Sequence, residues 1–213
     1  MDKSLETLKT WARAHLRWYG QSAFQLRTDA ETVIFIDPFR VPAHAGPADL
    51  ILVTHPHPDH DDRKAIRGLL KPGTQEIRPC DGEGHGQMEV SAGESIHIGS
   101  ISVTGVAAYN LKSRFHPKSS GWLGYVIEVE GVRLYHAGDT DLVPEMPDLR
   151  PDIALLPVGG MVAMNALAAA EAAAMLKASL CIPMHFSMLL GGRRAGARFV
   201  KRLGAGGMTH PRA

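Results

Sequence analysis

The chain has 213 residues, enough for one large domain (1–213) whose core needs no disulfide framework. Hydrophobic residues make up 45% and charged residues 21%, the balance of a globular protein. A formal net charge of +1 argues against a nucleic-acid partner or an anionic membrane surface, which would call for a strongly basic face.

The N-terminal stretch MDKSLETLKTWARAHLRW is charged throughout and lacks the apolar core of a signal peptide. Leu5, Leu8, Trp11, Ala12 and Leu16 recur at helical spacing and predict a helix over residues 4–17, with Ser4 and Thr7 offering cap chemistry. Phe24–Leu26 and Thr32–Ile36 read as short strands around the turn Thr28-Asp29-Ala30. Leu50–Thr54 is a further apolar strand, followed by a helical stretch over 61–71 that Lys71-Pro72-Gly73 closes. Residues 74–106 hold several short β segments, including Glu94–Ile98 and Ile101–Val106; the glycine-rich stretch 81–89 among them reads as a loop. Trp122–Glu130 and Val132–His136 flank Gly131 as a hairpin. Ile153–Pro157 and Leu180–Pro183 are buried-type strands, with an alanine-rich helix capped by Asn165 between them and a last helix over Arg194–Leu203. Strands interleaved with helices give an α/β architecture. No apolar run nears the roughly 20 residues that span a bilayer. Cys80 and Cys181, the only cysteines, are far apart and fit a reduced, cytoplasmic setting.

The chemistry concentrates in His55-Pro56-His57-Pro58-Asp59-His60. Three imidazoles and a carboxylate follow a greasy strand, at the edge where α/β folds place their sites. The two prolines deny the segment a regular helix and stiffen it. Such a loop suits a divalent transition metal, with neutral imidazoles as ligands and a carboxylate to neutralise charge. The plain alternative, a solvated polar loop, would hold for a single histidine but not for this density of ligands. Asp61 and Asp62 read as first-turn charge of the next helix. His136 reads as a structural histidine at a strand end. His15, His44, His85, His97 and His210 stand in no recognisable motif. No Gly-x-Ser-x-Gly or phosphate-cradling glycine loop points to covalent acyl transfer or nucleotide hydrolysis.

The His-x-His-x-Asp-His segment resembles that of the metallo-β-lactamase superfamily, within it the branch of cytosolic metal-dependent hydrolases similar to ascorbate-6-phosphate lactonase and N-acylphosphatidylethanolamine phospholipase D. Trp18–Phe24, Phe35-Ile36-Asp37-Pro38, Tyr135–Thr140, Leu156–Gly160 and Ile182–Phe186 match further motifs in the family's order. The resemblance implies a four-layer αββα sandwich and two divalent metal ions, zinc first, with manganese or iron as alternatives. His55 and His57 would hold the first ion, Asp59, His60 and His185 the second, and Asp139 both. Asp37 would orient a ligand histidine. Two positions depart from the family. Gln21 stands where a histidine is usual, which alters a pocket contact. The first ion's third histidine is replaced by or near Asn110, with His116 six residues on as the favoured substitute and a weakened first site as the competing reading. The implied activity is hydrolysis of a small ester, lactone or phosphodiester, anionic ones included, by a metal-bridging hydroxide, with Asp59 accepting a proton. A homo-oligomer is compatible with all of this. The other class the sequence allows is a metal-binding protein without turnover, a sensor or redox scaffold. An acidic residue in place of the second histidine would favour di-iron redox use, and His57 stands there.

Overall fold

The computed structural model describes residues 3–80, 88–186, 192 and 194–209. His85, His210 and most of the glycine-rich loop lie outside them. Helix α1 (Leu5–His15) begins at Ser4, whose hydroxyl accepts the Thr7 N–H. It is shorter than its apolar spacing predicts. Leu16 leaves the helix with extended φ and ψ because Leu16–Gly20 forms strand β1, paired with β2 (Ala23–Arg27). The aromatic pair Trp18-Tyr19 suits that pleated, half-buried position. β3 (Val33–Ile36), β4 (Leu50–Leu52), β5 (Gln75–Pro79) and β6 (Met88–Val90) complete the first sheet, with α2 (Arg63–Leu69) between β4 and β5.

The second sheet contains β7 (Ser95–Ile98), β8 (Ile101–Ala107), β9 (Leu123–Val129), β10 (Val132–His136), β11 (Ile153–Pro157) and β12 (Leu180–Met184). α3 (Ala166–Leu176) crosses from β11 to β12, and α4 (Arg194–Leu203) follows. Each sheet is antiparallel in one part and parallel in the other. β3, β4, β5 and β6 run parallel, as do β10, β11 and β12.

Side-chain alternation explains the layering. Ile34, Ile36, Leu50 and Leu52 face the second sheet and join Val103, Tyr125, Ile127 and Leu134 in one core. Val33, Phe35, Ile51 and Val53 point the other way and pack under Ala65, Ile66 and Leu69 of α2. Both faces of these strands are buried, which is why their sequence reads as continuous apolar runs. α3 and α4 cover the second sheet, with Ala169, Ala172, Leu176 and Phe199 in the core. The result is the αββα sandwich.

Along one edge the two sheets are joined by hydrogen bonds. Tyr125 Oη donates to the Val53 carbonyl at 2.7 Å, and Leu123 N–H to that of Thr54 at 3.1 Å. His185 N–H donates to the Gln21 carbonyl at 2.9 Å. This edge is where the parallel strands β3, β4, β10 and β12 end.

Candidate metal centre

Four strand ends and one loop deliver the side chains. β3 leads to Asp37, β4 leads through Thr54 into His55–His60, β10 leads to Asp139, and β12 leads to His185. Gln21, Asp37 and His185 all hold φ near +50°, a conformation non-glycine residues seldom adopt and one that concentrates at functional sites. Gly138 also has positive φ, and a Cβ there would lie 2.9 Å from the Leu123 carbonyl oxygen. Glycine is therefore required for the chain to turn Asp139 toward the histidines.

Ligand atoms of His55, His57 and His116 lie within 4.8 Å of one another, as do those of Asp59, His60 and His185. A third such group, His55, His60 and Asp139, lies between them. Asp139 Oδ1 is 3.5 Å from His60 Nε2, and its Oδ2 is 3.1 Å from His185 Nε2 and 3.8 Å from His116 Nε2. Asp59 Oδ2 is 3.4 Å from His185 Nε2 and 3.9 Å from His60 Nε2. One carboxylate thus reaches both histidine groups.

The outer nitrogens are fixed by partners that leave the inner ones bare. Thr54 Oγ1 gives its only proton to Asp37 Oδ2 at 2.8 Å, so it can only accept from His55 Nδ1 at 2.9 Å. Asp37 Oδ2 takes the His60 Nδ1 proton at 2.6 Å, while Oδ1 accepts Thr54 N–H at 2.8 Å. Asn110 Nδ2 donates to the Val162 carbonyl at 2.9 Å, which makes Oδ1 the atom facing His116 Nδ1 at 3.2 Å. Both ends of the Asn110 amide are therefore engaged, and His116, not Asn110, stands with His55 and His57. The Nε2 atoms of His55, His60, His116 and His185, and Asp139 Oδ1, are buried without a hydrogen-bond partner. Buried polar atoms are normally satisfied. Imidazole nitrogens and carboxylate oxygens, orphaned together, are the donor set a divalent cation completes.

Electrostatics follow from burial and crowding. Burial lowers His55 well below its ordinary pKa, with His60 adding to it against Asp139. Burial and His60 also lower His57, and burial with the neighbouring His57 and His60 holds His116 at about 4. These three rings are neutral at pH 7 and offer lone pairs. In His60 and His185 burial is outweighed by carboxylates: Asp139 and Asp37 raise His60 well above its usual value, and Asp139 with Asp59 raises His185 to about 9. Burial works against ionisation of Asp139, but His185 and His60 keep it charged. A cation bound there would take over the role of those ring protons.

The remaining sequence-predicted residues separate cleanly. Gln21 Nε2 donates to Asp59 Oδ2 at 3.1 Å, so the residue in the usual histidine's place steadies a carboxylate. Asp62 caps α2 by accepting the Lys64 and Ala65 N–H groups at 3.0 Å, and Asp61 forms a two-pronged pair with Arg78 at 2.9 and 2.7 Å. Both stand apart from the cluster. His136 Nε2 donates to the Ser22 carbonyl at 2.9 Å and its Nδ1 accepts Gly138 N–H at 3.3 Å, leaving no nitrogen for an ion. Lys118 pairs with Glu145 at 2.8 Å. Met164 is core, whereas Met161 is 79% exposed. Two residues of the site escaped the sequence: Thr54, whose hydroxyl orients His55, and Trp122, whose ring lies 5.2 Å from those of His55 and His116 and 4.9 Å from that of His57. The signal for Thr54 was its place directly before the ligand-rich segment. Trp122 carried none.

Known proteins share this organisation. A family model described as β-lactamase superfamily domain matches residues 15–185. A UPF0173 metal-dependent hydrolase of Methanoregula boonei is 35% identical over 188 residues, covering 81% of this chain and 82% of its own. One from Methanoculleus marisnigri is 35% identical over 191 residues, covering 80% of each. Among solved structures, a Parabacteroides distasonis protein assigned as a metal-dependent hydrolase superposes with a TM-score of 0.82 at 29% identity, covering 93% of both chains. A metallo hydrolase of Ignicoccus hospitalis shares the fold at TM-score 0.75 and 24% identity, covering 93% of this chain and 95% of its own.

Proposed function

This chain is a metal-dependent hydrolase of the metallo-β-lactamase superfamily, and on that premise we propose that it holds two divalent ions and hydrolyses a small ester, lactone or phosphodiester. His55, His57 and His116 would hold one ion, Asp59, His60 and His185 the other, with Asp139 between. Zinc suits this nitrogen-rich set. When bound, two such ions lower the pKa of a shared water toward ~7 and polarise the scissile carbonyl or phosphoryl oxygen.

The chain's own residues do the rest. Thr54, Asp37 and Asn110 lock three rings with Nε2 inward, so the cluster needs no reorganisation when it loads. Asp59 stays ionised, because His185, His60 and the Gln21 amide outweigh the cost of its burial, and it is placed to accept a proton. Gln21 keeps that carboxylate pointed at the cluster. Trp122, half-buried against three histidines, walls one side from water.

The observation that carries this reading is the set of buried, partnerless Nε2 and carboxylate atoms around Asp139. Its test is a metal count on the purified protein, followed by turnover of p-nitrophenyl esters, lactones and bis-p-nitrophenyl phosphate. About two ions per chain are expected. His116→Ala should lower occupancy toward one, and Asn110→Ala should weaken that same ion about 10–100-fold, as loss of an orienting partner does. Full occupancy in both variants would refute the ligand assignment. Two ions with no turnover on any substrate class would leave the scaffold reading in its place.

A further inference from the structure

Among the described residues five large hydrophobic side chains are exposed, and three of them sit on two loops beside the metal cluster. Leu111 (58% exposed) and Phe115 (64%) belong to the loop between β8 and β9, and Met161 (79%) to the loop between β11 and α3. Leu111 follows Asn110 directly, Phe115 precedes His116 directly, and Met161 precedes Val162. The two loops are pinned together at that point. Asn110 N–H donates to the His116 carbonyl at 2.7 Å, closing the first loop on itself. The Asn110 side chain ties the His116 ring to the Val162 carbonyl of the second loop. Leu111 N–H is held by Asp141 Oδ2 at 2.9 Å, two residues from Asp139. The apolar tips therefore rest on bases locked to the metal-facing groups.

Met161 adds a second observation. Its φ is +62°, and Val162 N–H donates back to the Gly160 carbonyl at 2.8 Å, a three-residue turn of the strained, positive-φ kind. A methionine there costs more than glycine or asparagine would, and its exposed side chain recovers nothing by packing. Half-buried Trp122 adds an apolar ring directly against His55, His57 and His116. Apolar patches that border a polar centre mark binding sites.

We propose that Leu111, Phe115 and Met161 form an apolar rim that takes the hydrocarbon part of the substrate, so that the hydrolysed compound is an ester or related acyl compound with a medium-length alkyl or aryl group. This rests on the hydrolytic reading and deepens it. The occupant is a substrate rather than a second protein because the rim stands on loops whose bases are tied to the metal-facing His116 through Asn110.

The test uses the metal-loaded full chain and a Leu111→Ser/Phe115→Ser/Met161→Asn variant. The replaced side chains are exposed, and asparagine tolerates the left-handed turn, so folding is retained; Phe115→Ser alone serves as a milder form. With p-nitrophenyl esters from acetate to octanoate, kcat/KM of the unaltered protein should rise about two- to fourfold per methylene. The variant should lose that slope while its acetate value stays within about twofold. Calorimetric binding of octanoate against acetate reads the same surface without turnover: the unaltered protein should prefer octanoate at least about tenfold, and the variant should bind the two alike. A preference retained in the variant, or absent from the unaltered protein, overturns the proposal. So does a dimer of the unaltered protein that the variant dissolves, since the rim would then be a subunit contact. Octanoate preference without any ester turnover would instead count against hydrolysis alone.

Discussion

At Thr54 one hydroxyl settles the direction of two rings. Its proton goes to Asp37, which leaves it an acceptor for His55, and Asp37 in turn takes the His60 proton. Asp37 thus receives three donors, all in the buried interior. Asp37→Asn keeps the shape but replaces one acceptor oxygen with a donor, so one of those three must be left unmatched. Weaker metal binding by about 10–100-fold is expected, read by chelator competition, with a lower melting temperature. Unchanged affinity would show that the His60 ring needs no such hold. Asn110 follows the same logic in neutral form. Its amide accepts at one end and donates at the other, which ties the His116 ring to the Val162 carbonyl.

At the scale of the element, α2 shows how the metal-facing loop is stopped. The helix has only seven residues, too short to be stable alone, and it begins immediately after the ligand segment. Asp62 starts it by accepting the Lys64 and Ala65 N–H groups and also holds Arg40 N–H at 3.1 Å. Burial opposes its ionisation, but the N–H donors of Ala65, Arg40 and Lys64 keep its carboxyl below the usual range. A carboxyl lowered on folding stabilises the fold above its unfolded pKa of ~3.9 and loses that effect as pH falls through the folded value. Asp62→Ala should therefore cost about 1 kcal/mol at pH 7, with the gap to the unaltered protein closing below about pH 4 in denaturant titrations. A gap that stays constant with pH would exclude the charged cap as its source.

For the molecule as a whole, the candidate ligands are split between the sheets. His55, His57, Asp59 and His60 follow β4 of the first, whereas His116, Asp139 and His185 come from the second. A bound ion would then act as a clasp across the sandwich, present in the folded state and lost on unfolding. At a hundredfold excess of metal over its Kd the gain is about 2.7 kcal/mol, roughly 5–10 °C for a chain of this size. Calorimetric scans before and after chelation should show that drop, with recovery on adding zinc. Coincident scans would mean that the sheets hold together without the ions.

The legible part of this protein is whatever lies close together in the chain. The run His55–His60 announced a metal, and Gly138-Asp139 and Met184-His185 matched the family's remaining strand-end motifs, because ligand chemistry needs particular residue types and strand ends expose them. Apolar runs announced buried strands for the same local reason. Leu16 was misplaced into the first helix because helical spacing and strand alternation coincide over so few residues, and only pairing with β2 decided between them. The choice between Asn110 and His116 could not be read from spacing. What favours His116 is that Val162, fifty-two residues further on, claims the amide donor and leaves the carbonyl oxygen to orient the His116 ring. Thr54, Trp122 and the exposed rim likewise gain their meaning from neighbours distant in sequence. Residue type determined which chemistry was available to this chain. Closure of the two sheets onto one edge decided which side chains share it, because hydrogen-bond direction and burial exist only once the distant strands have met.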